Sequence, residues 1–81
     1  MNSKAEGTTT SVEVVREGAE WSVRENGRTI IRFFGKSAAV DFGCTLAKAH
    51  APSEIVVRRR DGSVDCSGRF HPRRRTGRSP Y

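Results

Sequence analysis

The chain lacks several features that mark whole classes of protein. None of its apolar runs approaches the roughly 20 residues that a membrane-spanning helix needs. The opening MNSKAEGTTT has no apolar segment of the kind that a secretory signal contains. We therefore expect a bacterial or phage-type protein of the cytoplasm with no membrane partner. Its 81 residues are enough for one small domain with a limited core.

Potential metal ligands are also scarce. The two cysteines, Cys44 and Cys66, form no CxxC pair, which predicts free, buried thiols rather than a disulfide. Apart from acidic side chains, only His50 and His71 join them as candidate zinc ligands, and a zinc site needs about four ligands at close spacing. The scattered positions predict neither a metal nor another cofactor.

Acidic residues are missing from one part of the chain. Residues 69–81 hold five arginines and no acid, whereas residues 1–68 hold ten basic and nine acidic residues. The net charge of +6 therefore belongs almost wholly to residues 69–81, which we call the basic segment. We expect a disordered lead-in over residues 1–10, one domain over residues 11–68 and a separable, flexible basic segment that begins after Gly68.

Alternating side chains before the middle of the chain predict three strands. SVEVVREGAEWSVREN alternates on both sides of a two-residue turn at Gly18, which sets Val14 opposite Val23. Asn26-Gly27 accepts positive φ at both positions and predicts a second tight turn. The third strand, RTIIRFF, follows that turn.

A two-residue loop at this second turn fixes the side of the sheet on which each later side chain lies. It pairs Val23 with Ile30 and directs Ile30 and Phe34 toward the core. It sends Thr29, Ile31 and Phe33 to the opposite side of the sheet.

GKSAAVDFGCTLAKAHAP predicts the one helix of the domain, with Ser37 as its N-cap and Pro52 beyond its end. The stripe that faces the sheet consists of Ala39, Val40, Gly43, Leu46, Ala47 and His50. Because glycine in a helix costs about 1 kcal/mol relative to alanine, Gly43 indicates a close approach of helix and sheet, with Trp21 lying across it.

SEIVVRRRDGSVDCSG predicts a second hairpin with a type I′ turn at Asp61-Gly62. This turn pairs Arg58 with Asp65 and Val57 with Cys66. Ile55, Val57 and Cys66 then face the helix, and Val56, Arg58 and Arg60 face away from it.

The predicted fold class is α+β, in the order β-β-β-α-β-β. One small antiparallel sheet has a single helix packed on one face, and its other face is open. The predicted core consists of Trp21, Val23, Ile30, Phe34, Val40, Leu46, Ile55 and Val57.

These elements resemble domain of unknown function family 2188, a family of short bacterial proteins. The shared motifs are a Trp-x-Val strand at Trp21, the turn at Asn26-Gly27, a K-x-A helix start at Lys36 and IVVRRRDGSV over residues 55–64. The resemblance covers roughly residues 12–68, implies the same small fold and carries no assigned activity. The arginine-rich end departs from the short Gly/Pro/Asp end that the resemblance implies.

Nothing in the sequence resembles a catalytic triad, a phosphate-binding glycine loop or a pair of catalytic carboxylates. His50 is predicted on the apolar helix face, and Cys44 precedes it by six residues rather than by one helical turn. We therefore expect a protein that is not an enzyme.

Two kinds of binding remain open. Nucleic acid would meet an aromatic ring among arginines on the open sheet face, together with the basic segment. The candidate binding residues are Phe33, Arg58, Arg60, Arg69, Arg73, Arg74, Arg75 and Arg78. Against this, Glu13 and Asp65 are predicted to neutralise Arg24 and Arg58 across the strands.

The alternative is a protein partner or a second copy of the chain. An apolar strip of Val15, Ile31, Phe33 and Val56 would suit such a partner, and an edge strand would offer backbone groups for strand addition. A small regulator that binds or inhibits a larger protein complex would fit this second function.

Overall fold

A computed structural model describes residues 9–72. The elements follow the predicted order: β1 (Thr10–Glu17), β2 (Glu20–Glu25), β3 (Arg28–Phe33), α1 (Lys36–Ala49), β4 (Ser53–Arg58) and β5 (Val64–Phe70). They form one five-stranded sheet in the order β3-β2-β1-β4-β5, with α1 packed on one face. The α+β class and the element order are confirmed. The described helix is not long and apolar enough to cross a membrane.

The sheet is mixed, because β1 and β4 run parallel at its centre. The expectation of a wholly antiparallel sheet is therefore wrong at this pair. After β3 the chain passes through α1, which lies across the sheet, and returns in β4 beside β1 rather than beside β3. Parallel neighbours need a long crossover of this kind, and α1 is part of it here.

The first hairpin has the predicted register. Val14 lies opposite Val23 and Glu13 opposite Arg24. The turn residue Gly18 has φ of +64°, a backbone conformation that glycine adopts without steric cost. Val12, Val14, Trp21 and Val23 are buried on the helix-covered face.

The register of β3 differs from the prediction by one residue. Asn26-Gly27 does form the turn, with φ of +51° and +84°, but a bulge leaves Ile30 without a partner, and Val23 pairs with Ile31 instead. Because a one-residue shift exchanges the two faces of a strand, Ile31 and Phe33 pack against the core. Ile30 and Phe34, which we expected in the core, are 44% and 80% exposed.

The second hairpin also contains a bulge. Val57 pairs with Cys66 as predicted, but Arg58 pairs with Val64 instead of Asp65. Gly62 has positive φ and Asp61 does not, so the connection between β4 and β5 is longer than a two-residue type I′ turn.

The strand β5 lies at the edge of the sheet, away from the helix. Cys66, predicted to be buried against α1, is exposed on this strand, while Cys44 is half-buried on the helix, and both thiols are free. The strand continues to Phe70, two residues beyond the boundary that we predicted at Gly68. Arg69 therefore belongs to the sheet as well as to the basic segment.

The core consists of small side chains beneath the helix. Its buried apolar members are Val12, Val14, Trp21, Val23, Ala39, Ala47, Ile55 and Val57. Val40 and Leu46, predicted in the core, are half-buried against it. His50 lies outside this core: its side chain is exposed, with Nδ1 3.4 Å from Glu25 Oε2.

The helix approaches the sheet most closely at Gly43. A Cβ atom there would lie 3.1 Å from Val14 Cγ2 and 3.2 Å from Ile55 Cδ1. The predicted close approach is therefore present, but the valine and isoleucine of the β1–β4 pair, rather than Trp21, lie beneath the glycine. The helix begins at Lys36 after Gly35, so Ser37 is not its N-cap.

A buried hydroxyl joins the end of the helix to β4. Ser53 is 1% exposed, and its Oγ donates a hydrogen bond of 2.5 Å to the carbonyl oxygen of Ala47. The same carbonyl accepts the backbone N–H of His50 at 3.2 Å, so Ser53 adds a second hydrogen bond at the end of the helix.

Replacing the one tryptophan should destabilise the domain strongly. Trp21 is 6% exposed and is the largest side chain in the core, so Trp21→Ala should lower the free energy of unfolding by about 3–5 kcal/mol. Urea unfolding would measure this loss. Phe34→Ala, at an 80% exposed site, should change the same free energy by less than about 0.5 kcal/mol. An equal effect of the two substitutions would contradict this placement of Trp21.

Adding a methyl group at Gly43 should also destabilise the domain, although alanine favours helix formation by about 1 kcal/mol. The new Cβ would press on Val14 and Ile55, and overpacking of this kind typically costs about 1–3 kcal/mol. We expect Gly43→Ala to lower the urea midpoint, whereas Thr45→Ala, at an exposed position of the same helix, should not. A raised midpoint for Gly43→Ala would show that the helix can move away from the sheet.

Candidate nucleic-acid interface

The open face of the sheet carries alternating acidic and basic side chains. Because strand side chains alternate, side chains of all five strands lie on this face, opposite the buried valines. They form what we call the ion-pair ladder, whose pairs are Glu13–Arg58, Glu17–Arg24, Glu17–Arg32 and Glu54–Arg69. The ladder covers much of the surface on which we expected nucleic acid to bind.

Glu17 is the most connected carboxylate of the ladder. Ser22, fully buried beside it, donates a hydrogen bond of 2.6 Å to Oε1, and Arg24 donates one to Oε2. Arg32 Nε lies 3.6 Å from Oε1. The hydrogen bond from Ser22, followed by that from Arg24, holds the pKa of the Glu17 carboxyl below its ordinary value.

Arg58 is held by Glu13 rather than by Asp65. Its Nε donates a hydrogen bond of 2.7 Å to Glu13 Oε2, and its Nη1 donates one of 3.0 Å to the carbonyl oxygen of Gly62. The parallel pairing of β4 with β1 brings these two side chains together. Both predicted ion pairs are therefore wrong. Arg58 binds Glu13 instead of Asp65, and Arg24 binds Glu17, although Glu13 does lie opposite Arg24 in the strand register.

Asp65 binds the start of the helix instead. Lys36 Nζ donates a hydrogen bond of 2.7 Å to Asp65 Oδ2, and this bond lowers the pKa of the Asp65 carboxyl. The same ammonium lies 5.2 Å from the centre of the Trp21 ring, and the Arg16 guanidinium lies 5.6 Å from it. Cation–π contacts thus hold Trp21 at the end of the sheet where α1 begins.

Phe33 does not lie on the open face, so its predicted place among the arginines is wrong. It packs on the helix-covered face, with its ring centre 5.7 Å from that of Phe42. The bulge at Ile30 is the cause, since it moves Phe33 and Ile31 to the core side together. Of the predicted apolar strip, only Val15 and Val56 remain on the open face, and both are half-buried.

Within residues 9–72, the aromatic ring that is exposed to solvent is that of Phe34, directly after β3. It is 80% exposed, and Ile30, four residues earlier, is 44% exposed. Sequence reasoning missed both because the hydrophobic pattern of RTIIRFF fits either register. The pattern contains no signal for a bulge.

The remaining predicted residues lie in two places. Arg60 is exposed in the loop between β4 and β5, and it has no ion-pair partner within residues 9–72. Arg69 Nη2 is 3.9 Å from Glu54 Oε1. Arg73, Arg74, Arg75 and Arg78 lie outside the described residues.

The model of one protein family matches residues 12–70, which is more than half of the chain. The chain belongs to DUF2188, a family described as "uncharacterized protein conserved in bacteria". The match confirms the resemblance drawn from the Trp-x-Val strand and the Asp-Gly hairpin. It extends to the end of β5, so the DUF2188 unit includes all five strands. No curated protein and no solved structure matches the chain.

Stability depends on pH through Glu17, Asp65 and Asp61. The pKa of the Asp61 carboxyl is lowered by hydrogen bonds that the hydroxyl and the backbone N–H of Ser63 donate to it. A carboxyl whose pKa is lower in the folded chain contributes stability that is present above its unfolded pKa and lost as pH falls through its folded pKa. The lowered pKa values of Glu17, Asp61 and Asp65 therefore predict that the free energy of unfolding decreases below about pH 4.5.

Glu17→Gln should reduce this pH dependence, because the variant has no charge to lose at position 17. Urea unfolding at about pH 7 and about pH 3 would measure the change. Glu20→Gln is the matched control, since Glu20 has no ion-pair partner in the described part of the chain. Identical pH dependence in wild type and Glu17→Gln would refute the role of Glu17.

Proposed function

We propose that this DUF2188 protein is a small, non-enzymatic binding module that contacts nucleic acid mainly through its basic segment. The supporting observation is that acidic residues balance most of the basic residues in one part of the chain and none in the other. Residues 9–68 contain nine Lys and Arg and eight Asp and Glu. The basic segment contains five arginines and no acid.

The ion-pair ladder argues against the centre of the open face as the main contact. Arg24 and Arg58 each bind a glutamate directly, so a phosphate at either position would have to compete with a carboxylate already in place. Partly exposed pairs of this kind add little stability, but they cancel the local charge that attracts a polyanion.

The basic segment has the opposite character. It begins at Arg69 on the edge strand and continues through Arg73, Arg74, Arg75 and Arg78, with no acidic residue in its own sequence. Arginines of this kind bind phosphates by releasing condensed counterions, which gives affinity without sequence preference. Non-specific affinities at physiological salt are typically about 10⁻⁴–10⁻⁶ M.

Neutralising the basic segment should remove most of the binding. The test compares wild type with a variant in which Arg73, Arg74, Arg75 and Arg78 are all glutamine, over a salt titration with labelled duplex and single-stranded oligonucleotides. The slope of log K against log salt should fall by up to about 0.9 per lost phosphate contact on duplex and about 0.7 on single strands.

Two controls separate charge from other effects. The same four positions changed to lysine should keep the salt slope, because lysine retains the positive charge. Arg58→Gln, which removes an arginine already paired with Glu13, should leave affinity nearly unchanged. If wild type binds no nucleic acid at physiological salt, the proposed function is wrong.

A protein partner or a second copy is the second candidate, and the exposure of β5 supports it. Val64 through Arg69 are all exposed, and a shallow depression lined by Lys48, Ala51, Phe70 and His71 separates this edge from the end of the helix. An edge strand offers unpaired backbone groups to an added strand. Light scattering that gave the mass of a dimer would favour this candidate.

A further inference from the structure

We infer that the edge strand β3 carries a second nucleic-acid contact, at which Phe34 stacks on a base of a single strand. This inference rests on the proposed function and adds a site within the folded domain. The contact comprises Ile30, Arg32 and Phe34, which we call the β3 strip, whereas Arg28 lies before the bulge and pairs with Glu25 on the helix side of the sheet.

The exposure of the β3 strip is the first observation. Phe34 is 80% exposed and Ile30 is 44% exposed, and both are large apolar side chains that the core does not use. From Ile30 to Phe34 the strip extends over about 13 Å at about 3.3 Å per residue. This is the length of several nucleotides, which rise about 3.4 Å each along a stacked strand.

The charge of the strip is the second observation. Residues 27–40 contain Arg28, Arg32 and Lys36 and no acid. Within residues 9–72, Arg28 has no ion-pair partner, because Glu25 across the strand lies beside His50 instead. Lys36 is paired with Asp65, so the positive charge that this edge offers comes from Arg28 on the helix side and from Arg32 in the strip.

Arg32 contributes through its free end. Its Nε is held 3.3 Å from Ser22 Oγ and 3.6 Å from Glu17 Oε1, and its side chain is 53% exposed. In the described part of the chain its two Nη groups make no hydrogen bond. A guanidinium anchored at Nε in this way presents both Nη groups to a phosphate at a low cost in side-chain entropy.

The alternation of the strip favours nucleic acid over protein. The buried centre of a protein interface is depleted of charged residues, whereas each apolar side chain of this strip has an arginine beside it. A single strand matches this alternation, because every base has a π face on which an aromatic ring can stack and a phosphate lies between successive bases. Because every base can stack, we expect binding with little sequence preference.

Substitutions at Phe34 test stacking directly. The probe is a labelled oligo(dT) of about 15 nucleotides, titrated into the full chain. Phe34→Ala and Phe34→Leu should each weaken binding roughly 5- to 150-fold, as removal of a stacking ring does, whereas Phe34→Tyr should stay within a few-fold of wild type. The salt slope should not change in these variants because no charge is lost.

The matched control is Val64→Ala, which shortens another exposed apolar side chain on the opposite edge and should leave affinity unchanged. Arg32→Gln should lower the salt slope on oligo(dT) by about 0.7. Thermal unfolding of each variant would show that the domain still folds.

The outcomes separate this inference from the proposed function. If the four-glutamine variant loses affinity while Phe34→Leu binds like wild type, the basic segment binds and the β3 strip does not. If Phe34→Leu keeps the affinity that Phe34→Ala loses, the site is an apolar contact of the kind a protein partner uses, and the inference is overturned. If the weak binding left in the four-glutamine variant disappears on adding Phe34→Leu, the strip is supported independently.

Discussion

The contact between Gly43 and the pair of strands at the centre of the sheet determines how the rest of this domain packs. Val14 and Ile55 lie directly beneath the glycine, one from each strand of the parallel pair. With the helix this close, the space between helix and sheet holds valines and alanines rather than large side chains. The core is therefore thin, and within residues 9–72 Trp21 is the one aromatic side chain among its buried members, with Phe33 and Phe42 packed against them.

Trp21 connects this thin core to the charged surface. Lys36 reaches over its ring and binds Asp65 of the edge strand, so one side chain links the start of the helix, the aromatic ring and β5. The residues that carried the family resemblance, Trp21 and Lys36, thus meet in space. Their association is explained by packing and needs no ligand.

Local turn chemistry predicted much of this fold. Gly18 and Asn26-Gly27 produce the conformations that those residue types favour, and the alternation around them places Val14 against Val23. The two bulges and the parallel pair could not be predicted in the same way. A bulge depends on how neighbouring strands twist and pack, and the place of β4 beside β1 depends on where the helix crosses the sheet.

The two bulges and the parallel pair also determined which residues of the candidate site could be predicted from the sequence. The arginines of the basic segment could be identified from the sequence because counting their charge does not depend on how the strands pair. The aromatic contact was assigned to Phe33 and lies instead at its neighbour, Phe34, because one bulged residue exchanged the two faces of β3. The partners of Arg24 and Arg58 changed for a related reason, since the parallel pair set a new neighbour for Arg58.

The bulge at Ile30 also limits how copies of this sheet can assemble. It interrupts the backbone ladder of β3, and arginines flank it, so that edge is a poor template for a further strand. The other edge, β5, is regular from Cys66 to Phe70. A sheet with one extendable edge can add only one neighbour. Pairing of two such chains through β5 would use both available edges, so it would end in a closed pair and could not propagate into a filament.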